Sequence, residues 1–133
     1  MPVLVHTGSI TPFSSPTHCL EIALEFQELR IVFVHSGQTI FAEDALIIAK
    51  QASNIYLESS RCSSVNVLKQ IRALGASRIM MGTDLPTEAA FEIAKIRTLG
   101  LSNGEVEQVM SQTALDVFGL RNRAIPILSD PAV

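Results

Sequence analysis

The chain has 133 residues, 47% of them hydrophobic, and a net charge of −3. That suffices for one domain with a sizeable core and is too little for two. It carries no Lys/Arg-rich run and no Trp, which argues against a basic nucleic-acid face or a base-stacking platform, and no apolar stretch approaches the roughly 18 residues of a membrane span. Neither a nucleic acid nor a membrane is therefore expected as a partner. The opening MPVLVHTGSI has no basic region followed by a long apolar core, so no secretory signal is expected. Cys19 and Cys62 lie far apart, outside any CxxC spacing, as free thiols of a reducing compartment do. Cytoplasm is the expected location.

In chain order, four short apolar runs stand out: PVLVH (2–6), RIVFVH (30–35), NIYLE (54–58) and RIMMG (78–82). Each is nearly continuous in apolar residues, the pattern of a strand buried on both faces of a parallel sheet. They start 28, 24 and 24 residues apart, room for a helix and two loops each time. After the first run, Ser15 caps a helix with Pro16 at its first position, and Cys19, Ile22, Ala23 and Phe26 share a face. After the second, Ala42, Ala45, Leu46, Ala49 and Ala52 form a stripe at helical spacing. After the third, Val65, Leu68, Ile71 and Arg72 repeat similarly, with Gly75 as the stop. After the fourth, the expected face is Ala90, Ile93, Ala94 and Arg97. A fifth helix opens at Ser102, with Glu105 three residues on as a capping box and Leu101 placed to staple against Val106. Its expected buried face is Val106, Val109, Met110 and Val117, and Gly119 ends it. The reading is α/β: a parallel (β/α)4 array plus a C-terminal helix over 1–120. The tail 121–133, RNRAIPILSDPAV, shows no periodicity and reads as a loose arm or an edge cover.

In a parallel β/α array, chemistry gathers beyond the carboxyl ends of the strands. Here the first run ends on His6, the second on His35, the third on Glu58-Ser59-Ser60 and the fourth on Gly82-Thr83-Asp84. Imidazoles and a carboxylate on one rim are the ligand set expected for zinc or a similar divalent ion. A metal or a histidine partner would also offset the cost of a carboxylate at a strand end. Each residue alone has a plainer reading. A histidine after an apolar strand is often a hydrogen-bonded structural residue. Asp84 suits a turn or the N-cap of a helix beginning near Thr87. Glu58 suits a solvated position and Ser59-Ser60 a turn. The coincidence of three such strand ends on one rim is what favours a site. Elsewhere, His18 reads as a surface or capping residue, Cys62 as structural, and Met80-Met81 as core. Arg61 reads as water-facing, with a grip on a substrate carboxylate as the alternative.

Together, PVLVHTG, RIVFVHSG, NIYLESS, RIMMGTDLP and LSNGEVEQVMSQTALDVFGL resemble the amidohydrolase-related family of metal-dependent TIM-barrel enzymes. The resemblance is to the C-terminal half, strands five to eight and the final helix, and runs from about Pro2 to Leu120. It implies half of a (β/α)8 barrel. It implies that His6 binds metal, that His35 is a second ligand or the catalytic acid/base, and that Asp84 binds metal and takes the proton of a nucleophilic water. The implied function is that of a metal-dependent hydrolase or decarboxylase (a lyase), in which metal-activated water attacks a small carboxylate, amide or ester. Zinc is the first expectation for the ion; manganese and iron suit the same donors. The family's first-strand His-x-His has no counterpart, because no His-x-His occurs in the chain, and a full barrel needs about 250 residues. A half-barrel has open edges, at PVLVH and RIMMG, so a homo-oligomer or a partner supplying the other half is expected. The alternative is a non-catalytic truncated fragment that acts only as an assembly partner; the two readings separate on metal binding. A doubly wound nucleotide-binding domain fits less well, because HTGSITPFSS lacks GxGxxG.

Overall fold

In the computed structural model, residues 1–8 and 11–121 are described. Four strands, β1 (Val3–His6), β2 (Ile31–Val34), β3 (Ile55–Glu58) and β4 (Ile79–Met80), form one sheet in the order β1-β2-β3-β4. Every neighbouring pair is parallel, with Val3 opposite Ile31, Ile31 opposite Ile55 and Leu57 opposite Ile79. Sequential order without a reversal is the order of a barrel sector; a doubly wound sheet reverses direction at a switch point. The helices between the strands are α1 (Leu20–Glu25), α2 (Ala42–Gln51), α3 (Ser64–Leu74) and α4 (Ala89–Arg97). The closing segment runs α5 (Asn103–Glu107), a π turn (Gln108–Gln112) and α6 (Thr113–Val117).

Alternation along the strands sorts the core into two faces. Ile31, Phe33, Ile55, Leu57 and Ile79 pack toward the helices, against Ala45, Ile48, Val67, Ile71 and Ile96. On the other face Val32, Tyr56 and Met80 meet Ala114 and Val117 of α6. The central strand β2 is therefore buried on both sides, as its unbroken apolar run predicts. The edge strand β1 differs: Val3 and Leu4 are exposed. Strand β4 is only two residues long, shorter than the run 78–82. Beyond Met80 the chain leaves the ladder, and the Met81 amide donates to the carbonyl of Val109 at 2.9 Å. The closing segment thus partly occupies the side of β4 where a next strand would pair.

Ser15 caps a 3₁₀ turn, Pro16–Cys19, that leads into α1. In α1, Ala23 is buried, but Ile22 and Phe26 of its expected inner face are exposed. The α2 stripe is buried as the spacing predicts. In α3 the buried face is Val67, Gln70 and Ile71, while Val65 and Arg72 are exposed. Gln70 turns inward because its amide donates to the carbonyls of Ser36 (3.2 Å) and Ala42 (3.3 Å). The inner face of α4 is Glu92, Lys95 and Ile96, and Ala90, Ala94 and Arg97 are exposed. The capping box at Ser102 is present with both of its reciprocal bonds. Apart from Arg121, the tail 121–133 lies outside the described residues. Among the described residues, no helix is long and apolar enough to cross a membrane.

Candidate functional site

The carboxyl-end rim is built on strained backbone. Among the described residues, the non-glycine residues with positive φ are His35 (70°), Ser36 (48°), Gln38 (50°), Arg61 (57°) and Asp84 (61°). All of them follow β2, β3 or β4 on this one rim. Each such conformation costs about 1–3 kcal/mol and persists only where surrounding bonds enforce it. Those bonds are present after β2. The Thr7 hydroxyl donates to Val34 O at 2.8 Å and accepts from the Gly37 amide at 2.9 Å. The Ser36 hydroxyl donates to Glu58 O at 2.7 Å. Gly8 lets the β1 and β2 loops touch, since a Cβ there would lie 2.5 Å from the Gly37 carbonyl carbon.

His6 closes β1 and is exposed; His35 follows β2 and is buried. Their rings meet edge to face, with centroids 4.9 Å apart. Glu58, which ends β3, is not solvated as its position suggests; its side chain is only 12% exposed. It accepts from the His35 amide (3.0 Å), the Ser60 amide (2.7 Å) and the Ser60 hydroxyl (2.7 Å). Ser60 Oγ lies 2.8 Å from His35 Nδ1. Gly82 makes room for this carboxylate, because a Cβ there would collide with Glu58 Oε1. Asp84 is exposed and forms an ion pair with Arg61. The Arg61 hydrogen bond, reinforced by the charges of Arg61, His35 and His6, holds the Asp84 carboxyl below the usual carboxylate range, against desolvation. Asp84 does not cap the following turn, whose N-cap is Leu85.

Beneath the rim lies a buried ion pair that the sequence does not announce. Lys95 Nζ sits 2.5 Å from Glu92 Oε2, with both side chains almost fully buried. Lys95 also donates to the carbonyls of Ser59 (2.8 Å) and Cys62 (2.9 Å), and Glu92 accepts from the Arg61 amide (3.1 Å). The pair therefore fixes the 59–62 loop that carries Ser60 and Arg61. Its only sequence signal is an i,i+3 charge spacing, which a solvated helix face shows equally. Burial pushes the Cys62 thiol up to about 11, partly countered by Lys95, so Cys62 is structural, as its sequence context suggests. Cys19 and Cys62 are both free.

The structure thus brings His6, His35 and Asp84 to one rim. As donor types they suit a divalent ion. As an arrangement they do not close a metal centre, since Asp84 is engaged by Arg61. Among the described residues, no three His, Cys, Asp or Glu side chains converge to hold an ion. A cavity of about 350 Å³ lies at the opposite end of the sheet, lined by Pro2, Arg30 and Val117 among others.

No family model and no curated protein matches the chain. Solved structures do. An uncharacterised TIM-barrel protein from Bordetella bronchiseptica aligns with TM-score 0.77 at 18% identity, over 90% of this chain and 46% of that one. The 5-carboxyvanillate decarboxylase of Sphingomonas paucimobilis aligns with TM-score 0.62 at 18% identity, over 80% of this chain and 40% of that one. A dihydroxybenzoic acid decarboxylase from Polaromonas, with bound manganese and the inhibitor 2-nitroresorcinol, aligns with TM-score 0.62 at 18% identity, over 81% and 40%. The chain spans less than half the length of each of these proteins. The likeness is one of fold: the chain has the architecture of one half of a TIM barrel.

Proposed function

We propose that this chain supplies half of the active site of a metal-dependent hydrolase or decarboxylase acting on a small carboxylate, amide or ester. The observation that carries this reading is the placement of His6, His35 and Asp84 on the carboxyl-end rim of a half-barrel, amid the left-handed residues of that rim. The decarboxylases among the solved neighbours, one with bound manganese, support a small acid as substrate and a divalent ion as cofactor. A bound ion supplies Lewis-acid polarisation and lowers the pKa of a coordinated water. His6 offers it an exposed imidazole. Asp84 offers it a carboxylate, or receives a proton at Oδ2 once Arg61 lets go. His35, buried and anchored by Ser60, is either the second imidazole for the ion or the group that exchanges a proton with the substrate. Zinc is the first candidate ion, and two imidazoles with one carboxylate suit manganese as well.

Two or three donors leave a metal centre short of ligands, so the reading requires the other half of a barrel. The open side of β1 is where it docks. Val3 and Thr7 donate their amides to β2, so alternation aims the main-chain groups of Leu4 and His6 away from the sheet. The exposed side chains of Val3 and Leu4 line the same edge. The occupant is a second copy of this chain, and a separate polypeptide carrying the complementary strands is the other outcome to test. Metal content of the 133-residue chain, purified without chelator and supplied with zinc or manganese, tests the site. Stoichiometric metal that is lost in both His6→Ala and Asp84→Asn is expected. Binding unchanged in both variants overturns the assignment and leaves the non-catalytic assembly role.

A further inference from the structure

We propose that Glu58 and Ser60 are positioning residues that fix the His35 proton on Nδ1 and so present Nε2 as the working nitrogen of the site. The argument is a count of protons. Every partner of the Glu58 side chain is a donor: the amides of His35 and Ser60 and the Ser60 hydroxyl. That is the environment of an ionised, acceptor-only carboxylate. The Ser60 hydroxyl owns one proton and gives it to Glu58 Oε2 at 2.7 Å. Ser60 Oγ can then only accept across its 2.8 Å contact with His35 Nδ1, so Nδ1 carries a proton. The reverse direction, serine to imidazole, would leave two proton-free oxygens facing each other at 2.7 Å. The direct distance from His35 Nδ1 to Glu58 Oε2 is 4.0 Å, too long for a hydrogen bond. The hydroxyl is therefore the link between acid and imidazole.

Two further features hold the relay in place. Ser60 is fully buried and its loop is pinned by Lys95 through the carbonyls of Ser59 and Cys62. Gly82 leaves the space that the Glu58 carboxylate fills. Among the described residues, His35 Nε2 has no hydrogen-bond partner, and the ring stands edge to face with His6. A neutral imidazole with the proton on Nδ1 has its lone pair on Nε2, the form that ligates a metal or accepts a proton. The proposal rests on the reading of His35 as a site residue, but its test does not need turnover or metal.

The experiment is long-range ¹H–¹⁵N correlation spectroscopy on the full chain labelled with ¹⁵N-histidine, in slightly alkaline buffer, with and without Ser60→Ala. Wild type is expected to show His35 protonated on Nδ1 and bare on Nε2. Ser60→Ala is expected to exchange the two ¹⁵N signatures, toward the Nε2–H form that an unconstrained histidine favours. Wild-type His35 protonated on Nε2 overturns the proposal, as does a folded Ser60→Ala chain with the wild-type signature. If Ser60→Ala does not fold, Glu58→Leu is the second probe: it removes both acceptor oxygens, frees the Ser60 proton for Nδ1, and is expected to give the same exchange. An unchanged signature in Glu58→Leu also overturns it. Metal binding is measured separately, so a correct tautomer in a chain that binds no metal removes the enzymatic reading and leaves the relay standing.

Discussion

Replacing Lys95 with methionine isolates the contribution of the buried ion pair beneath the rim. Methionine keeps much of the apolar stem volume of lysine, so the change removes mainly the charge and its donors. In the native chain that ammonium meets Glu92 at 2.5 Å and the carbonyls of Ser59 and Cys62 at 2.8 and 2.9 Å, with side-chain exposures of 2% and 3% for the pair. Breaking a buried pair from one side costs about 3–5 kcal/mol, because the surviving charge stays buried. The Arg61 amide still donates to Glu92 at 3.1 Å, and the Ser59 carbonyl keeps the Cys62 amide at 3.2 Å, so the middle of that range applies. A loss of about 4 kcal/mol is expected, a large share of the roughly 5–15 kcal/mol that holds a domain folded. Urea denaturation followed by circular dichroism reads it. With a slope of about 2 kcal/mol per molar, the midpoint should fall by about 2 M. The double variant Glu92→Gln/Lys95→Met, which leaves no buried charge, should be more stable than Lys95→Met alone. A single variant that loses less than about 1 kcal/mol, in the range of a surface pair, would refute the claim that this pair anchors the 59–62 loop.

Gly82→Ala should cost about 1–3 kcal/mol, as overpacking does, since the new methyl collides with Glu58 Oε1; an unchanged thermal midpoint would mean that Glu58 sits elsewhere. Ser102→Ala removes the α5 cap and should cost about 1 kcal/mol at neutral pH. The Glu105 carboxyl is held below its ordinary value first by the Ser102 backbone amide, which the variant keeps, and then by the Ser102 hydroxyl, which the variant loses. A depressed carboxyl stabilises above its unfolded value. That contribution is lost as pH falls from the ordinary glutamate range through the lower folded value, so the gap between wild type and Ser102→Ala should narrow there. A gap that widens on acidification would contradict the assignment. The Cys62 thiol, pushed by burial up to about 11, should resist alkylation at mildly alkaline pH in the folded chain and react once urea is added. Equal rates in both states would place Cys62 at the surface.

The sheet was legible because unbroken apolar runs can be satisfied only by burial on both faces, and β2 is buried in that way. The capping box at Ser102 was legible because its two bonds lie within four residues of chain. The rim positions of His6, His35 and Asp84 followed from strand ends alone. The inner faces of α3 and α4 were not legible. There, polar residues turn inward to meet carbonyls from distant segments: Gln70 bonds Ser36 and Ala42, and Lys95 bonds Ser59 and Cys62. A stripe drawn through apolar residues places such helices about one position out of phase. Glu58 escaped for the same reason, since its partners come from the backbone and hydroxyl groups around it, and only the fold brings His35 beside it. The two open edges expected of a half-barrel proved unequal. Met81 bonds Val109 beside β4, while Val3 and Leu4 stay exposed on β1.

The central claim is that this rim becomes a metal site when the barrel is completed. Native mass spectrometry of the untagged full chain, kept from chelator throughout, reads assembly mass and bound metal in one spectrum. The account predicts an assembly larger than one chain that carries a divalent ion, and loss of the ion in His6→Ala. A wild-type chain that stays monomeric and metal-free at micromolar concentration, with zinc or manganese supplied, would contradict it.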